Sequence, residues 1–117
     1  MQTETRTIAN KQYAFVPLSG CLDQETLPCF TEKIEALIDG DHAYLVFDLD
    51  ELDFISSHAV GYLQMLHKKL EVAEKRMAFI NANAEIQDTL EFIGLAKLVA
   101  MFDAEEKFLE AMRNEEI

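Results

Sequence analysis

Hydrophobic positions along the chain fall into two alternating rhythms. Short apolar runs at residues 13–18, 43–47, 77–80 and 98–102 are separated by longer segments in which apolar residues return every three or four positions. A short continuous run reads as a strand buried on both faces, and the three-to-four spacing reads as a helix with one buried stripe. Residues 24–39 carry Leu27, Phe30, Ile34, Leu37 and Ile38 in such a stripe, with Asp23 as the expected N-cap, Pro28 in the first turn and Gly40 as the stop. Residues 57–74 carry Ala59, Leu63, Leu66, Leu70 and Ala73 inward, with Tyr62, Met65 and Val72 beside that stripe as either packing or docking groups. Residues 84–93 bring Ile86 and Leu90 inward and stop at Gly94. A last helix, capped by Asp103 and running to Met112, uses Phe108, Leu109 and Met112.

Ahead of these, residues 4–9 read as an edge strand and Asn10-Lys11 as a turn. Pro17 lacks a ladder donor, so it belongs at the end of its strand or on an open side, and Ser19-Gly20 is expected to end that strand. The order is β-β-α-β-α-β-α-β-α. It implies an α/β fold: a mixed, mostly parallel sheet of four or five strands with four helices and right-handed crossovers. The carboxyl ends of parallel strands are the usual place for function. One such end is the acidic stretch from Asp48 to Asp53, expected as a loop that leads through Phe54-Ile55 into Ser56-Ser57 at a helix start. A helix start offers free N–H groups and a positive dipole end, and so can hold a phosphate.

The length of 117 residues fits one domain, 1–117, with room for one core, and half the residues are hydrophobic. No apolar run is long enough to cross a membrane, and the polar first residues argue against a secretory signal, so the cytoplasm is the expected compartment. A net charge of −12 repels phosphate backbones and anionic lipid, which excludes nucleic acid as a direct partner and fits plain solubility or a basic protein partner. Cys21 and Cys29 lack zinc-site spacing and read as reduced thiols, Cys29 packed as a small hydrophobe and Cys21 in a turn.

Three segments in order carry a family resemblance. Ser19-Gly20-Cys21-Leu22-Asp23 resembles the turn after the second strand of STAS domains. Asp48-Leu49 followed by Phe54-Ile55-Ser56-Ser57 resembles their central motif, and the stretch from Gly94 through Leu109 resembles their ending. The resemblance spans nearly the whole chain and points to the anti-sigma factor antagonists. It implies a single STAS domain that is no enzyme and uses no cofactor. Such a domain binds an anti-sigma factor, an ATP-dependent serine kinase, and so frees a sigma factor. The partner-binding turn would be Ser56, Ser57, His58, Ala59 and Gly61. The chain departs from the pattern at His58, which occupies the position of the phosphorylated serine or threonine, and at Ala59, which stands for a glycine.

Each sharp reading of these residues has a plainer counterpart. Ser56 or Ser57 can accept phosphate or simply cap the helix. His58 can be a phosphoacceptor, a pH-sensitive switch or a partner contact, or only a surface side chain in a member that is never phosphorylated. Asp48, Asp50 and Asp53 could hold Mg²⁺ as in a response-regulator receiver. No acidic pair follows the first strand and no lysine ends a late one, so solvation is their expected role. His42 and His67 are expected on the surface. The alternatives to partner switching are a regulatory STAS subunit of a lipid or anion transport system, a small-ligand-sensing module and an enzyme, the last disfavoured because no nucleophile–base pair or metal cluster stands out. The oligomeric state is left open.

Overall fold

Leu45, Val46 and Phe47 are wholly buried, and the strand they belong to is the centre of the sheet. The computed structural model describes residues 4–8 and 11–115. Along the chain it places β1 (Glu4–Ile8), β2 (Lys11–Leu22), α1 (Leu27–Ile38), β3 (Tyr44–Ile55), α2 (Ser57–Val72), β4 (Arg76–Ile80), α3 (Ala84–Ile93), α4 (Leu95–Leu98), β5 (Ala100–Phe102) and α5 (Glu105–Glu115). The strands lie side by side in chain order, with β1 antiparallel to β2 and every later pair parallel. This is the mixed, mostly parallel α/β sheet the sequence implies.

Strand order that follows chain order, joined by crossovers of one hand, sends α1, α2, α3 and α4 to one face. Alternation along the strands supplies both faces. Ala14, Val16, Leu45, Phe47, Met77 and Phe79 pack with the helices of that face. Their neighbours Tyr13, Phe15, Tyr44, Val46, Ala78 and Ile80 face the other way, where α5 covers them with Phe108 and Met112. Around Phe108 the rings of Tyr13, Phe15, Tyr44 and Phe102 sit edge-on, with centroids at 5.5–6.0 Å.

Several expectations are corrected. The acidic stretch from Asp48 to Asp53 is no loop: β3 continues through it to Ile55, because Leu49, Leu52 and Ile55 are buried and hold the backbone against the core. Pairing with β4 stops at Asp48, so beyond that point β3 pairs only with β2, from Ser19↔Glu51 to Leu22↔Ile55. Ser19-Gly20 therefore does not end β2. The strand passes it through register shifts on either side, with Gly20 at a φ of +69° that favours glycine. Pro17 lies within β2, not at its end, paired with Asp48 of β3 and past the stretch paired with β1, which ends at Phe15 and leaves that side open.

The first helix starts at Leu27 rather than residue 24. Asp23 Oδ1 accepts from the N–H groups of Glu25 and Thr26 at 3.0 and 3.2 Å, which builds a turn ahead of the helix instead of capping it. That helix ends on Asp39 in a right-handed conformation, so Gly40 is not used as a left-handed stop. Gly94 is: at φ +90° it ends α3 and turns the chain into α4, a short extra helix where the last strand was expected to begin. The strand itself is only Ala100–Phe102. Ala73 is exposed beyond the end of α2, and α5 begins at Glu105, past Asp103. Ala9 and Asn10, assigned to an edge strand and a turn, lie outside the described residues.

Candidate functional site

The end of β3 and the start of α2 are joined at Ser56. Its backbone is extended (φ −85°, ψ 165°), and its N–H donates to the Leu22 carbonyl at 2.9 Å, which continues the β2–β3 ladder by one bond. Its carbonyl accepts the Val60 N–H at 3.0 Å, and its hydroxyl accepts the Ala59 N–H at 3.2 Å. Ser56 is thus the N-cap, bonded through backbone and side chain.

Ser57 and His58 are the first two residues of α2, and both side chains are exposed. Their N–H groups have no acceptor within the helix, by helix geometry, and the dipole there favours an anion. Ala59 points the other way and is fully buried in the core, so its methyl offers a partner nothing; what it contributes to the turn is the capped N–H. Gly61 lies exposed on the outer side of the helix, one turn beyond Ser57, and a Cβ built on it would meet nothing within 4 Å. Met65, a further turn along, is 57% exposed, and Phe54, two residues before the cap, is 52% exposed. Phe54, Ser57, His58, Gly61 and Met65 are therefore left exposed around and beyond the turn, and Ala59 is sent inward.

Tyr62 sits beneath this surface. Its ring meets Phe30 of α1 edge-on at 5.8 Å, so of the three apolar groups beside the α2 stripe it packs, while Met65 and Val72 stay exposed. Its hydroxyl is buried without a hydrogen bond of ordinary geometry, and the nearby Thr31 hydroxyl donates to the Leu27 carbonyl at 2.8 Å. Burial, and then the charge of Glu35, push the phenol above its ordinary pKa of 10.0, with Thr31 offsetting part of this. Glu35 itself receives Lys69 Nζ at 2.6 and 2.7 Å, an ion pair that ties α1 to α2 across a largely solvent-facing gap.

The acidic residues do not gather. Asp48 Oδ1 accepts from the Asp50 N–H at 3.1 Å and from Asn81 Nδ2 at 3.0 Å, which pins the end of β4 to β3. Asp50 and Asp53 are exposed along the strand. Among the described residues no group of three His, Cys, Asp or Glu side chains is placed to hold a metal ion. His67 lies half-buried beside Glu71 at 3.3 Å, and His42 Nε2 meets the Thr5 hydroxyl at 3.0 Å.

Two features escaped the sequence reading. Asn83 caps α3 by accepting the Ile86 N–H at 2.8 Å and also donates to the Leu52 carbonyl at 3.4 Å, so α3 is anchored to the far end of β3. An asparagine before a helical stripe was the available signal. The second is a groove of about 380 Å³ between the bulged end of β2 and the start of α1, walled in part by Leu22, Phe30 and Leu52 and by both cysteines. Neither cysteine packs in the core: Cys29 is exposed on α1, and Cys21 is exposed on β2 rather than in a turn.

A five-stranded sheet of this order, with its capped turn between the central strand and the second helix, defines a class. The model of the STAS domain family matches residues 4–108, and the chain belongs to that family. Solved structures share the fold. The unphosphorylated anti-sigma factor antagonist SpoIIAA superposes with a TM-score of 0.77 at 21% identity, over 97% of each chain. An anti-sigma factor antagonist from Mycobacterium paratuberculosis gives 0.77 at 21% identity, over 96% of this chain and 93% of that one. The STAS domain of a SulP transporter from Vibrio cholerae gives 0.69 at 19% identity, over 86% and 80%. No curated protein sequence matches the chain. Among the described residues no helix is long and apolar enough to cross a membrane.

Proposed function

We propose that this STAS domain is a non-enzymatic regulator of the anti-sigma factor antagonist type, acting in the cytoplasm. It binds an anti-sigma factor, a serine-kinase-like ATPase, through residues 54–61. The observation that carries this reading is the pairing of a firmly capped turn with two outward side chains, Ser57 and His58, at the open end of α2. A rigid backbone presenting exposed groups loses little freedom when a partner closes over it. The likeness to two antagonist structures supports the choice of partner.

His58 stands where the antagonists that resemble this chain carry their acceptor hydroxyl, so the domain is held permanently in its binding-competent form. A phosphate on this turn would put a doubly charged group into a close-packed contact, and burying it unpaired costs several kcal/mol. Affinity capture with the wild-type domain should retain a kinase-like ATPase, and Ser57→Asp should lose it. Incubation of the captured pair with ATP, followed by mass spectrometry, should find no phosphate on Ser56, Ser57 or His58; stoichiometric phosphate there overturns the permanently competent form.

The fold shared with a SulP transporter domain favours one second reading, a regulatory subunit of an anion or lipid transport system. Capture of a membrane permease in place of an ATPase, unaffected by Ser57→Asp, would select it.

A further inference from the structure

The two cysteines of the chain lie on different elements, Cys21 near the end of β2 and Cys29 as the third residue of α1, yet both thiols are free, exposed and part of the wall of one groove. Thr26 holds these elements together at their junction: its hydroxyl donates to the Cys21 carbonyl at 3.0 Å, and Cys29 follows it by three residues, one helical turn. The same hydroxyl accepts the Asp23 N–H at 3.0 Å and makes no capping bond to α1, whose first turn carries no acidic side chain. A thiol thus sits on the first turn of α1, one turn after the residue that ties that helix to β2.

We infer that Cys21 and Cys29 are a reversible dithiol–disulfide pair, a modification site for hydroperoxides built into the groove between β2 and α1. One thiolate attacks the peroxide, the O–O bond breaks, and the sulfur becomes a sulfenic acid as alkoxide (hydroxide from hydrogen peroxide) leaves and takes up a proton. The second thiol then attacks that sulfur, forms the S–S bond and expels water. In sum two thiols and one hydroperoxide give one disulfide, one water and one alcohol, or a second water from hydrogen peroxide. A disulfide needs its Cα atoms within about 7 Å, so closing the bond fixes the first turn of α1 against β2. Thiols linked by a few residues meet at an effective concentration of order mM, so in a solution of about 10 µM the internal bond outpaces dimerisation roughly 100-fold. The residue next to Cys21 is Leu22, whose carbonyl holds the Ser56 N–H at 2.9 Å, so the clamp acts on the backbone beside the α2 cap. Formation of the bond is independent of what the Ser57–His58 turn binds.

The test is to treat the reduced, folded protein with hydrogen peroxide and measure its intact mass without reductant. The expected product is a monomer lighter by two hydrogens, restored by dithiothreitol, whose digest contains the Cys21 and Cys29 peptides joined. Cys21→Ser and Cys29→Ser should each instead gain oxygen on the remaining thiol or form linked dimers. Wild-type protein that gains oxygen on both thiols without losing hydrogens, or that forms only linked dimers, overturns the inference.

Discussion

The Ser56 N–H donates to the Leu22 carbonyl at 2.9 Å, across the gap between the last residue of β2 and the cap of α2. One bond thereby fixes the level at which the sheet stops and the helix begins. Everything exposed on the turn, Ser57 and His58 above all, takes its position from it.

Ser56 and Ser57 should behave differently although they are neighbours. Ser56→Ala removes the acceptor of the Ala59 N–H and should cost about 1 kcal/mol, within the usual span for a lost cap. Ser57→Ala, at an exposed position, should stay within about 0.5 kcal/mol. Urea unfolding of the two variants checks the contrast, and equal losses would mean that the cap is not where the geometry puts it.

Gly61→Ala should stabilise the protein. The position is helical and solvent-facing, with no atom within 4 Å of an added Cβ, so alanine gains its helix propensity, roughly 0.8–1 kcal/mol, without a clash. A higher melting temperature is the expected reading.

Phe108→Ala should be among the most damaging substitutions in the chain. The ring is fully buried and holds α5 against Tyr13, Phe15, Tyr44 and Phe102. Loss of about 3–5 kcal/mol follows from the transfer and cavity terms together. Because α5 is the helix that covers this face, dye binding to newly exposed apolar surface should rise alongside.

Stability should fall as the solution is made alkaline, and Tyr62 should be responsible for part of the fall. Burial, then the Glu35 charge, raise its pKa in the folded protein above the ordinary 10.0. Above pH 10 the unfolded chain releases the phenolic proton while the folded protein keeps it, so unfolding gains. The contribution is intact below pH 10 and is lost as pH rises through the raised folded value. Tyr62→Phe should flatten this decline while leaving stability near pH 7 within about 1 kcal/mol, because the hydroxyl it removes makes no hydrogen bond of ordinary geometry. Denaturant titrations at pH 7 and above pH 10 give the comparison.

Much of this architecture is legible in the residues because its strands are apolar on both faces. The runs around Phe47 and Phe79 read as strands buried on both faces, and the stripes of the intervening helices pointed the same way. The extension of β3 past Asp48 was not legible. Asp50, Glu51 and Asp53 look like loop residues, and the buried members Leu49, Leu52 and Ile55 come every third position rather than every second. Register shifts in β2 break the alternation that marks a strand. At the candidate site the capping role of a serine was visible, but which serine took it was decided by the Leu22 carbonyl, a partner remote in sequence. The inward turn of Ala59 and the shared groove of Cys21 and Cys29 likewise depend on how separate elements meet.

Among the described residues the aromatic face of the sheet is covered by α5, which follows every strand of the sheet in the chain. Until Glu105–Glu115 has left the ribosome, Tyr13, Phe15, Tyr44 and Val46 lack the cover of Phe108 and Met112, while the opposite face can already be sealed by earlier helices. Synthesis thus passes through an interval with one finished side and one sticky side, in which a chaperone or a neighbouring nascent chain competes with α5 for the same rings.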